Sequence, residues 1–305
     1  RTKPKKKKHL WNKWTAIAAC AVLVLSIVLF ISREGNKNSN SGIIQEVIYP
    51  NAYAFDDSGA RKEVREQNPV DESFVKALND FSYKTGALIL GNADENINYS
   101  PISLYYALAL ATSGAGGDTE AELINLLGVP DSKTLSEQCG NLYRLLYSDN
   151  KIGKLKIANS IWMDDDMNGV PIEFKEDFVK KAIENFYATS HSVDFSKSAT
   201  GKAMADWIST NTNGTLSPTL EAGSDKILSI LNTIYFYDQW VDSFNKSKTA
   251  QDIFYLRDGN ETKSDFMNQT FDSAGFSKGS NFTRSGLELK NSRQMVFILP
   301  DEGIS

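Results

Sequence analysis

The run TAIAACAVLVLSIVLFI, from Thr15 to Ile31, carries no charge, and with Trp14 it makes 18 apolar-compatible residues. At a helical rise of about 1.5 Å per residue it reaches roughly 27 Å, enough for the hydrocarbon core of a bilayer. That feature restricts everything after it to folding on one side of a membrane. Seven of the chain's 33 Lys and Arg fall before it, in residues 1–13, with no acid among them. Trp11 and Trp14 stand at its entrance, where interfacial aromatics belong, and the basic side is retained in the cytoplasm. The expectation is a cytoplasmic polybasic leader (1–13), a transmembrane signal-anchor (14–32), an extracellular linker (33–72) and a body from 73 to 305. The protein would then be a single-pass cell-membrane protein with its C-terminal part outside, or secreted if the leader is cleaved. No Ala-x-Ala site follows Leu29, which weighs against cleavage. Ile17-Ala18-Ala19-Cys20 comes before the bulk of the apolar run, which weighs against a lipoprotein signal. A nuclear signal at Lys5–Lys8 is incompatible with the apolar run beside it.

The body is acidic. The whole chain has a formal net charge of −5 even with the basic leader included. A phosphate-binding surface needs the opposite sign, so nucleic acid is excluded as a partner. With 41% hydrophobic and 11% aromatic residues, one sizeable core is available. Only two cysteines occur, and Cys20 lies in the apolar run, so Cys139 has no evident partner and a disulfide framework is ruled out. His9 and His191 are the only histidines, too few for a His-rich metal site. Neither lies in His-Glu-x-x-His, and Gly-x-Ser-x-Gly does not occur, so no hydrolase inventory is present. Asp164-Asp165-Asp166 reads as a solvated turn. GAGGDT lacks the Lys-Ser/Thr of a phosphate loop. No cofactor is expected, and the chain is not read as an enzyme.

From Ser73 the pattern becomes regular. Phe74, Leu78, Phe81 and Leu88 recur near helical spacing, predicting a helix over 73–90. NINYS (96–100) reads as a short strand. Pro101 opens a helix through 115, Pro at the first turn and Gly near the end marking its limits. A third helix runs over 117–128, with Asp118 or Thr119 as cap and Gly128 as stop. Strands are predicted over 154–165, 189–195 and 226–240, the last covered on both faces, and helices over 172–188 and 202–214. Asp258-Gly259-Asn260 and Asn291-Ser292-Arg293 each divide strand-like runs into hairpins. Residues 33–70 read as a tether with little structure of their own. Helices first and strands late make an α+β layout without internal repeat.

Several pieces of this layout, in order, resemble the serpin family. The first is Asn96, then Ser100-Pro101-Ile102-Ser103, Ala107, Ala109, Gly114-Ala115-Gly116 and Thr119. The second is Asn232-Thr233-Ile234-Tyr235-Phe236, followed by Trp240 and Phe244. Asn159 in LKIANSIW, Trp207-Ile208 with Thr212-Asn213-Gly214, Phe266-Met267 and Met295 through Asp301 fall in the family's order. The likeness extends from about residue 73 to 305. It implies a serpin fold of N-terminal helices, a large central mixed sheet A, and sheets B and C, incomplete at the C-terminus. Tyr237-Asp238 departs from the Lys-Gly many members carry there, a less permissive turn.

Asn232 also constrains the fold in its own right. An amide amid ILSILNTIYF must be hydrogen-bonded or cost a few kcal/mol, and Ser100 and Ser103, at a strand-to-helix junction, are candidate partners. The resemblance implies that Ser100, Ser103 and Asn232 form the shutter, where two strands part to admit a third, and that Trp240 sits at the breach. It further implies a suicide-substrate inhibitor of a serine protease, or of a cysteine protease, acting as a monomer. Its cleaved loop inserts into the central sheet while the helix over 202–214 yields. The reactive centre is absent: the likeness stops before the loop, and MVFILPDEGIS runs into the terminus without a capping element, so C-terminal truncation is expected. The alternatives are a non-inhibitory serpin-fold surface binding or chaperone module, and an anchored enzyme or adhesin of unrelated fold.

Overall fold

A mixed sheet built around one long strand organises the molecule. The computed structural model describes residues 42–91, 93, 95–256, 258–271 and 275–304. The chain divides into two units, Arg1–Asn40 and Ser41–Ser305, and the described residues belong to the second. Among them no helix is long and apolar enough to cross a membrane. The span read over 14–32 lies outside the described residues.

The long strand is β3 (Lys154–Asp164), reached after β1 (Gly42–Gln45), five helices and the short β2 (Ser148–Asp149). The helices are α1 (Ser58–Gln67), α2 (Glu72–Leu90), α3 (Pro101–Gly114), α4 (Gly117–Leu127) and α5 (Ser132–Leu146). The hairpin β4 (Asp166–Met167) and β5 (Val170–Pro171) leads to α6 (Glu176–Phe186), β6 (Ala188–Val193), α7 (Ser198–Asn211) and β7 (Leu228–Tyr237). β3 pairs parallel with β6 on one side and antiparallel with β7 on the other, and β1 extends the sheet beyond β6. A second hairpin joins β8 (Ala250–Tyr255) to β9 (Glu261–Phe266), and β10 (Gly275–Lys278), β11 (Phe282–Leu289) and β12 (Arg293–Pro300) form a three-stranded antiparallel sheet.

Side chains alternate across the main sheet, so each face has its own cover. Ile157 and Ile161 of β3, with Ile230 and Ile234 of β7, face helices that contribute Tyr105, Tyr106, Leu110, Leu127, Leu135, Tyr143 and Phe186 to a continuous core. Buried tyrosines need partners for their hydroxyls. Tyr105 donates to the Leu127 carbonyl at 3.1 Å and Tyr106 to that of Cys139 at 2.7 Å. Burial pushes both phenols, and the free Cys139 thiol, above their usual ranges. On the opposite face α7 covers Trp162, Val193 and Phe195 with Met204 and Trp207. Gly201 lets α7 seat there, because a Cβ at that position would lie 2.2 Å from the Leu220 carbonyl oxygen.

Several sequence expectations need correction. Residues 96–100 form no strand and pair with none among the described residues; Ser100 is extended, as the residue before a proline must avoid the helical region. Neither Asp118 nor Thr119 caps α4, whose N-cap is Gly116 without a side-chain bond, while Gly128 does end it at φ 71°. The segment read as a tether contains β1 and α1, and Tyr49 stacks on Tyr147 at 6.0 Å. α5 is a further helix that the sequence pattern does not predict. β7 is not covered on both faces among the described residues: Leu228 and Phe236 are each 50% exposed, and its one strand partner there is β3.

Candidate functional site

Ser100 earns its place through backbone geometry. Fixed in extended conformation before Pro101 (φ −113°, ψ 102°), it is the N-cap of α3. Its Oγ accepts from the Ser103 amide at 3.3 Å and from the Ser103 hydroxyl at 3.0 Å. That fills the cap, a contribution of about 1 kcal/mol.

Asn232 stands on the same side of the sheet, because α3 packs against β7. Yet its partner is not a serine. The β3–β7 register sets Asn232 directly opposite Asn159, and its Nδ2 donates to Asn159 Oδ1 at 2.6 Å. Asn159 Nδ2 in turn donates to the Phe186 carbonyl at 2.6 Å. Two hydrogen-bonded sets therefore replace the single cluster expected: Ser100 with Ser103, and Asn232 with Asn159 and Phe186. The reason is reach, since an in-register cross-strand amide is closer than a hydroxyl already engaged in capping. Asn232 Oδ1 is buried and has no partner among the described residues. β7 pairs only with β3 among them, so its other edge is open.

Trp240 lies where β7 ends. It bridges to Leu289 of β11, and Val241 N and Lys290 N donate to the Glu288 and Gln239 carbonyls at 3.0 and 2.9 Å. Its ring meets Phe244 edge-on at 5.7 Å, and Phe244 meets Phe271 at 5.6 Å. The tryptophan thus stitches the main sheet to the three-stranded one.

Two arrangements escaped the sequence reading. Asp238, the departure from Lys-Gly, has a fully buried side chain that accepts from Arg293 Nη1 at 3.2 Å, Asn291 Nδ2 at 3.0 Å and Gln239 N at 2.8 Å. Arg293 also donates to Ser148 Oγ at 2.8 Å. Charge at both 238 and 293 was the available signal. His191 lies flat on Trp162 at 3.9 Å, buried, with Nδ1 unpartnered among the described residues and Nε2 3.0 Å from Thr189 Oγ1. Burial holds its pKa down at about 4. No group of three or more His, Cys, Asp or Glu suited to a metal ion occurs among the described residues.

The site thus consists of a strand, β7, that pairs only with β3 among the described residues, a buried Asn232 Oδ1 without a partner there, and a tryptophan seam to a second sheet. The model of the family described as "Serpin (serine protease inhibitor)" matches residues 76–305, and the chain belongs to the serpin family. It is similar to wheat (Triticum aestivum) Serpin-Z2A, 30% identical over 198 residues, covering 61% of this chain and 48% of the relative. It is also similar to a serine protease inhibitor of the mouse (Mus musculus), 27% identical over 278 residues, covering 86% and 65%. The native state of the thermophilic serpin tengpin superposes with a TM-score of 0.71 at 23% identity, over 88% of this chain and 64% of that one. Arabidopsis AtSerpin1 in its native stressed conformation gives 0.66 at 24%, over 76% and 62%. The fold is the serpin fold, as the sequence resemblance implied. Members of the family are generally protease inhibitors rather than enzymes. This chain spans about half the length of the wheat relative and under two thirds of the mouse one.

Proposed function

We propose that this chain is the sheet-bearing body of a serine-protease inhibitor that acts as a suicide substrate. A loop outside the 305 residues is cleaved by the protease, forms an acyl-enzyme, and inserts into the main sheet as a new strand. The observation that carries this reading is β7, a long strand that pairs only with β3 among the described residues and holds a buried Asn232 Oδ1 without a partner there. An incoming strand would satisfy a ladder of backbone groups, and a donor on it would satisfy Asn232. Ser100, Ser103 and Asn232 are the shutter in this reading, Trp240 marks the breach, and α7 yields during insertion. The relatives' names support a serine protease as partner; a cysteine protease is the second class in this reading. Attachment to the cell membrane through residues 14–32, with the body outside, rests on the sequence alone.

The test is to incubate the complete gene product with trypsin-, elastase- and subtilisin-like proteases and look for an SDS-stable complex. Such a complex is expected with at least one. Ordinary cleavage throughout, with no complex, overturns the inhibitory reading in favour of a surface binding module.

A further inference from the structure

The face of the main sheet beneath α7 is unevenly filled. Toward Trp162 it is packed by Val193, Phe195 and Met204. Toward the other end of β3 it is hollow, with a cavity of about 140 Å³. Register explains the lining: Lys154, Lys156 and Ala158 alternate onto this face, and Lys156 and Ala158 lie opposite Tyr235 and Thr233. The roof is supplied by other elements, Tyr49 before α1, Tyr147 after α5 and the 210–213 end of α7.

Three features of this hollow point to one kind of occupant. Its volume is that of a single ring, comparable to an engineered cavity of about 150 Å³ that takes benzene. Tyrosines from three separate elements line it, giving flat apolar walls with polar tips. Two ammonium groups serve it against one carboxylate: Asp149 accepts from Lys154 at 3.2 Å and Lys156 at 2.6 Å. Each ammonium has three protons, so both retain donors for a second anion. In the last α7 turn the Ile208, Ser209 and Thr210 carbonyls accept from Thr212 N, Gly214 N and Asn213 N at 3.0, 2.8 and 3.3 Å. At the inner end of the same face, Thr233 Oγ1 is buried without a partner, the residue being only 7% exposed.

We propose that this hollow binds a small aromatic carboxylate, its charge met by Lys154 and Lys156 and its ring set among Tyr49, Tyr147 and Tyr235. The site does not depend on the inhibitory reading. Its occupant touches the segment before α1, the sheet and the end of α7 at once, so binding holds that end of α7 against the sheet.

The test uses the full chain and labelled benzoate in equilibrium dialysis, with benzylamine and acetate as competitors. Saturable one-site binding is expected, displaced by neither competitor. Lys156→Met keeps the aliphatic stem and should weaken benzoate by about tenfold or more, the loss of a charged hydrogen bond. Benzoate should also slow amide exchange in the last turn of α7. The proposal is overturned if benzoate shows no saturable binding, if benzylamine displaces it equally, or if both Lys156→Met and Tyr235→Ala bind as tightly as the parent.

Discussion

β3 and β7 are paired rung for rung from Lys154 opposite Tyr237 to Met163 opposite Leu228, yet they inhabit different environments. Every residue of β3 from Ile157 to Trp162 is buried, whereas Thr233 alone is buried in β7. β3 has strands on both sides, helices of the core below it and α7 above. β7, among the described residues, has β3 on one side and no strand on the other. Hydrogen-bonded pairing alone therefore does not make a finished strand. What completes β3 is lateral and facial cover, and β7 holds its unfulfilled valence in reserve.

The contrast predicts unequal penalties for losing an aromatic from each strand. Trp162→Ala should cost about 3–5 kcal/mol, because the residue fills the packed face under α7 and its Nε1 donates to Ser160 Oγ at 2.8 Å. Phe236→Ala should cost about 1 kcal/mol, since half of that ring is already in water. Urea denaturation of the two variants measures the difference. Equal losses would mean that β7 is as well covered as β3.

Acid should strike the covered side next. His191 takes its proton only near pH 4 when folded, against an ordinary 6.5. The unfolded chain thus binds that proton first, and stability falls as pH drops from 6.5 to about 4, then levels off below. The loss is about 3 kcal/mol, and His191→Gln should flatten that part of the profile of urea midpoints against pH. An unchanged profile in the variant would remove His191 from the acid response.

The smallest expected effect separates the two facing amides. Asn159→Ala strips both the Phe186 carbonyl and Asn232 Nδ2 of their partners, costing about 2–3 kcal/mol. Asn232→Ala removes one orphaned oxygen and leaves another, Asn159 Oδ1, so its net cost is one hydrogen bond, about 1 kcal/mol. Thermal or chemical unfolding of both variants tests the order, and a reversal would mean that Asn232 is already satisfied.

The elements that could be read from sequence were those whose signals are local. Pro101 and the glycines bracketed α3, Gly128 stopped α4, and the turns at 258–260 and 291–293 divided their hairpins. α1 has no buried residue and so left no apolar stripe to find. α5 carries one through Leu135, Cys139 and Tyr143, but buried Ser136, Gln138 and Gly140 lie among it and blur the period. Strand β1 is invisible alone, since only its pairing with β6 defines it. At the site, a buried amide announced Asn232, and a serine before proline announced the cap. The partner did not announce itself, because Asn159 lies 73 residues away and only register brings it opposite.

Cys139, sealed at 0% exposure in the helical core, gives the molecule a built-in clock. With Cys20 the only other cysteine, a thiol reagent working on the core has a single target. That target is doubly shut, by packing and by a thiol that burial keeps protonated. Modification must wait until the helices part from the sheet, so its rate counts openings of the core one by one.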